Sequence, residues 1–164
     1  MTITTVSPQE KEPFKLAAAI REIAAFLNTF PSQPQLGGWY QNANLNSANT
    51  DHEIRIKSPT TNWVLHDVII KNKGTTASIT TATAGLFTAT AGGGTALAAT
   101  QSLSVLTTNA VNTAGGIMHL TLSANNQWQS RTSLYFRVVT AQGAAATADV
   151  YVRIIPLPDV PPAL

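Results

Sequence analysis

The stretch LYFRVVTAQGAAATADVYVRII, residues 134–155, decides the fold. Leu134, Phe136 and Val138 alternate with Tyr135 and Arg137. After a short Gly- and Ala-rich break, Ala148, Val150, Val152 and Ile154 alternate with Asp149, Tyr151 and Arg153. A period of two sends successive side chains to opposite faces of a strand, so each run buries one face and shows the other to solvent. The spacing predicts that Leu134–Thr140 and Ala148–Ile155 pair as an antiparallel hairpin. With the loop centred at Ala144, Phe136 faces Val152 and Val138 faces Val150. The outer face then pairs Tyr135 with Arg153 and Arg137 with Tyr151, cation–π contacts worth about 0.5–1 kcal/mol each if exposed.

The same periodicity extends upstream. Glu53–Lys57 alternates cleanly, Trp63–Lys71 is longer and richer, and Ala77–Thr81, Gly85–Thr90, Ser102–Thr107 and Ile117–Leu122 continue the pattern. Thr95–Thr100 (TALAAT) reads equally as a short helix. About eight short strands divided by Gly, Asn and Ser turns predict a mainly β chain, a β-sandwich or jelly-roll-like domain over residues 53–157. Residues 31–52, with Pro31, Pro34, Gly37, Gly38 and an Asn/Ser run, read as a linker pinned by Trp39-Tyr40. Residues 158–164 form an extended Pro-rich tail.

Residues 1–30 have a different period. Ser7-Pro8-Gln9-Glu10 has the form of a helix start, which Pro13 interrupts. Leu16, Ile20, Ile23, Leu27 and Phe30 then follow at spacings of four and three, an apolar stripe on an N-terminal helical arm that Pro31 ends. Two heptads are too short to stand alone, so the stripe docks on its own domain or on a neighbouring subunit. The second alternative makes these five residues the candidate partner-binding set.

From Gly74 to Ser130 there is no Asp, Glu, Lys or Arg, and the chain is 11% charged overall, against about one quarter in an ordinary domain. A neutral polar surface packs against neighbours without burying unpaired charge, so the tract points to an assembled state. Ten basic residues are scattered and the net charge is +2, which argues against a nucleic-acid partner. No apolar run is long enough to span a membrane. Met1–Thr5 lacks the features of a signal peptide, so synthesis in the cytoplasm without export is expected. Cysteine is absent, which removes disulfides and thiolate chemistry.

Catalytic patterns fail one by one. There is no nucleophile elbow, and Gly92-Gly93-Gly94 lacks the Lys and Ser/Thr of a phosphate loop. Asp51-His52-Glu53 is a compact acid–His cluster, but neighbours on an extended chain point in alternate directions and do not chelate together. His66-Asp67 alternates in the same way, and His119 falls on the polar face of its strand. The expectation is a non-enzyme with no cofactor, no metal site and no small-molecule substrate.

The segment ITTATAGLFTATAGGGTALAATQSLSVLT, residues 79–107, resembles a recurrent segment of small virion proteins of tailed bacteriophages. Leu120-Thr121-Leu122 and the C-terminal strands are similar in style, so the resemblance covers about residues 64–157. It is one of composition and pattern, without a motif from which functional residues carry over. It implies a capsid cement or decoration protein, a homotrimer bound to the major capsid protein on the outer surface of the virion. The alternative is a head-fibre or tail-spike adhesin for host-surface glycans. Its candidates are the rings of Trp39, Trp63 and Trp128, with Asn125-Asn126-Gln127-Trp128 the best local cluster.

Overall fold

The computed structural model describes residues 33–73, 79–106, 116–123 and 129–157. The chain divides into two units, Met1–Gln33 and Pro34–Leu164. The helical stripe Leu16, Ile20, Ile23, Leu27 and Phe30, and the tail 158–164, lie outside the described residues.

Within the second unit the chain is mainly β. Eight strands are seen among the described residues: β1 (Gln35–Asn44), β2 (Thr50–Arg55), β3 (Trp63–Asn72), β4 (Thr83–Phe87), β5 (Ala96–Ser102), β6 (Ile117–His119), β7 (Ser133–Thr140) and β8 (Thr147–Pro156), with a 3-10 turn at Thr90–Gly92. They form two four-stranded antiparallel sheets, sheet 1 in the order β1-β8-β3-β6 and sheet 2 in the order β2-β7-β4-β5. Only β4 and β5 are consecutive strands of one sheet. Every other connection between successive described strands crosses from one sheet to the other.

That crossing corrects the expected hairpin. β7 pairs with β2 and β4, whereas β8 pairs with β1 and β3. Alternation identified the buried faces: Leu134, Phe136 and Val138 are buried from one sheet, Val150, Val152 and Ile154 from the other, all in one core cluster. It could not specify the partner, because an apolar face is satisfied as well by a facing sheet as by a neighbour in its own sheet. The Tyr–Arg pairs therefore do not form. Tyr135 stands beside Glu53 and Phe87, Arg137 beside Asp51 and Gly85, Tyr151 beside Trp39 and Ile69, and Arg153 beside Leu36 and Asp67.

The β7–β8 crossing is held by two residues. Leu45, fully buried, donates its N–H to the Ala146 carbonyl and accepts from the Gln142 N–H. The Gln142 side-chain oxygen accepts from the Thr80 and Thr81 amides at 2.9 and 3.1 Å, and the Thr81 hydroxyl donates to the Gln142 carbonyl at 2.7 Å. Gly143, with φ of +81°, takes the left-handed turn that this crossing needs.

Residues 31–52, expected to be a linker, contain β1 and the opening of β2. Two register shifts, between Leu36 and Gly38 and between Tyr40 and Ala43, break the alternation of β1 and so hid it. Asn42 takes a φ of +58° in the second shift, and its N–H donates to Asp149 Oδ1 at 2.9 Å. TALAAT belongs mostly to strand β5, not to a helix, and Leu103–Leu106 lies beyond that strand. Residues 79–81, the described part of the expected Ala77–Thr81 strand, are not in a strand.

Both open sides between the two sheets are stitched. On one, the Lys57 N–H donates to the Gly37 carbonyl at 2.7 Å, joining β1 to the extension of β2. On the other, the Leu120 N–H bonds the Val68 carbonyl in sheet 1, and the Ser123 N–H bonds the Leu97 carbonyl in sheet 2. Residues 120–123 thus bridge the sheets and cover part of the β5 edge, where an unpaired row would invite another strand. Gln101 adds to this, accepting from the Thr121 N–H and donating to its carbonyl.

Candidate functional site

The acid–His cluster at the start of β2 splits by strand parity. His52 points inward and is buried, 4.7 Å from the Tyr40 ring and 6.3 Å from that of Phe136, centroid to centroid. Burial lowers its pKa, against a backbone hydrogen bond at Asn44 and the Asp51 charge, which raise it. Asp51 and Glu53 point outward, each already engaged. Asp51 Oδ1 accepts from Arg137 at 3.0 Å and its Oδ2 from the Ala91 N–H at 2.7 Å, while Glu53 accepts from the Ser133 hydroxyl at 2.6 Å. Arg137 also donates to Asn49 Oδ1 at 3.0 Å. The three cluster residues therefore do not converge, and no group of three metal-ligating side chains is present among the described residues.

His66 and Asp67 sit at a register shift in β3. Trp63 and Leu65 are buried before it, and Val68, Ile70 and Asn72 after it, so the extra residue resets the phase. Asp67 and His119 meet on the outer surface, with Asp67 carboxylate oxygens 2.9 and 3.0 Å from His119 Nδ1. His119 is exposed, as its place on the polar face predicts.

The two outer faces differ in chemistry. Sheet 2 presents polar groups along β2 and β7, among them Asp51, Glu53, Arg55, Ser133 and Arg137. Sheet 1 presents large apolar ones. Trp39, Tyr151 and Ile69 are successive cross-strand neighbours over β1, β8 and β3, and Ile155 pairs with Val64. Leu36 and Ile117, 50% and 47% exposed, stand towards either side of the same face. Charged and polar groups interrupt it: Arg153 pairs with Leu36 and Asp67, His119 with Ile69, and Lys71 with Ile117. Large apolar side chains gathered on one outer face mark an interaction surface more than scattered ones do.

Where the edge strands β1 and β2 meet, Trp39, Glu53, Arg55 and Lys57 line an open depression of about 320 Å³. A second hollow, of about 430 Å³, continues past Glu53, Arg55 and Lys57 to Thr132 and Ser133. Gly38 permits this meeting. A β-carbon on Gly38 would lie 2.6 Å from the Arg55 carbonyl oxygen, and one on Gly37 would lie 2.7 Å from Ile154. Trp39 is 46% exposed, with the Lys57 ammonium 5.5 Å from its ring centroid.

Of the aromatic candidates, Trp63 is a core residue, 1% exposed, and its indole N–H donates to the Arg131 carbonyl at 3.1 Å. Trp128 and its neighbours Asn125, Asn126 and Gln127 lie outside the described residues. Trp39 is the one placed at a depression. The sequence singled it out but named neither Arg55 nor Lys57 as its companions, because that grouping joins strands of different sheets.

No protein-family profile matches the chain, and no curated protein or solved structure is significantly similar to it.

Proposed function

We propose that this chain is a non-enzymatic virion structural protein, a cement or decoration protein of a tailed-phage head. It folds as a sandwich of jelly-roll type, binds the major capsid protein as a homotrimer on the outer surface, and stabilises the shell by burying surface across adjacent subunits. The outer face of sheet 1 carries this reading: Trp39, Tyr151 and Ile69 form an apolar row, with Leu36 and Ile117 exposed beyond its flanking charges, a surface suited to another protein. The strand order β1-β8-β3-β6 over β2-β7-β4-β5 supports the fold assignment, and jelly rolls recur in viral capsids and lectins. That second support is analogy of fold, which does not by itself fix function. The neutral tract adds to it, since it supplies β4, β5 and β6 without a full charge.

A stable contact needs about 800 Å² from each partner, an area within reach of one sheet face. The test mixes purified protein with undecorated expanded capsids, then measures sedimentation with the shells and the temperature at which they disrupt. Retention with a raised disruption temperature is expected, only weakly dependent on salt, because the apolar row loses little to screening and only its charged flanks respond. Ile69→Glu is expected to abolish retention while the fold persists. Light scattering is expected to return the mass of a trimer. Wild-type protein left in the supernatant overturns the cement reading.

One observation favours a second reading, an adhesin for host-surface glycans. The exposed Trp39 ring at a depression beside Arg55 is an arrangement suited to a sugar.

A further inference from the structure

We infer that the depression between β1 and β2 binds an acidic saccharide, one whose carboxylate or sulfate meets Arg55 and Lys57 while a sugar ring lies against Trp39. This rests on the glycan-binding reading and narrows its ligand. Outward parity along β2 and its extension places Glu53, Arg55 and Lys57 on one side of the strand. The close approach of Gly38 to Arg55 brings the β1 indole to them from the other sheet. Glu53 is engaged by the Ser133 hydroxyl at 2.6 Å. Among the described residues neither Arg55 nor Lys57 has a carboxylate partner. The depression therefore holds two cations against one carboxylate, and an anion completes the balance. A guanidinium presents a planar pair of donors that matches a carboxylate or sulfate.

The scale of the site decides between ligands. A hollow of about 320 Å³ with one aromatic platform suits one or two sugar units. Single-stranded nucleic acid uses successive stacking rings along a basic groove, and here one ring and two cations stand alone. An uncharged sugar would offer neither cation a carboxylate or sulfate partner. The Lys57 ammonium, held 5.5 Å from the ring centroid, is close enough to reach an acidic group on a sugar that covers the indole.

The test uses the full chain on an array of uronate, sialylated and sulfated oligosaccharides beside neutral counterparts, with hits measured by isothermal titration. A saturable acidic ligand is expected, bound at least tenfold more tightly than its neutral counterpart. Arg55→Gln and Trp39→Ala are each expected to weaken it tenfold or more, and Trp39→Phe by less. Circular dichroism melts establish that the variants fold. Neutral sugars binding as well as acidic ones would overturn the inference and leave the adhesin reading standing. No binding to any glycan would overturn both. Acidic binding unchanged by Arg55→Gln and Trp39→Ala would place the ligand elsewhere and overturn the site.

Discussion

Replacing Gly38 with Ala adds one methyl group where β1 crosses β2. The new carbon would lie 2.6 Å from the Arg55 carbonyl oxygen, 3.3 Å from the Arg55 carbonyl carbon and 2.8 Å from Ile54 Cγ2. Close C···O contacts settle at about 3.3 Å or more, so β1 must withdraw by about 0.7 Å. A backbone carbonyl within a strand cannot rotate aside as a side chain can. Withdrawal stretches the neighbouring bond from Lys57 N–H to the Gly37 carbonyl, now 2.7 Å, at a cost of about 1 kcal/mol. Overpacking against Ile54 and its neighbours adds about 1–3 kcal/mol. The total of about 2–4 kcal/mol corresponds to a melting temperature lowered by roughly 6–15 °C for a domain of this size. Thermal melts by circular dichroism measure it, and the Lys57 amide is expected to exchange faster with solvent. Gly116→Ala is the control: among the described residues a β-carbon there meets nothing within 4 Å, and its melting temperature is expected to stay within about 2 °C of wild type. A Gly38→Ala protein that melts like the control would refute the close-approach argument, and with it the account of how Trp39 reaches Arg55.

Two further outcomes follow from the polar groups. His52 has its pKa lowered from 6.5, because burial disfavours the imidazolium. Below about pH 6.5 the unfolded chain takes up a proton that the folded one resists, so stability is expected to fall as pH drops through that range and to be level above it. Urea melts at pH 7.5 and 5.0 measure the slope, and His52→Leu is expected to flatten it; a variant with the wild-type slope would assign the dependence to other groups. Arg137→Met removes the bonds to Asp51 and Asn49, leaving Asp51 with the Ala91 N–H alone. The pair is partly exposed, so the loss is expected to be about 1–2 kcal/mol. Faster amide exchange at Ala91 separates loosening of the Thr90–Gly92 turn from general destabilisation, and unchanged exchange there would mean that the arginine does not brace the turn.

Strand faces were legible in the sequence, and strand partners were not. Alternation in 134–140 and 148–155 is a local property, fixed by the geometry of an extended chain. It named Phe136, Val138, Val150 and Val152 as core residues before any partner was known. The same alternation fits a hairpin and a pair of facing strands equally well. The choice rested on Gln142 in the loop, which is fastened to Leu45, Thr80 and Thr81, positions far away along the chain. β1 escaped notice because its two register shifts spoil the period, and β3 changes phase at His66-Asp67 for the same reason. For the site, the sequence marked Trp39 as a surface ring and Arg55 and Lys57 as outward positions of a strand. Their convergence depends on two sheets approaching within a methyl group's width at Gly38. Such an approach is a relation between elements, set by packing in three dimensions, and one-dimensional periodicity carries no record of it.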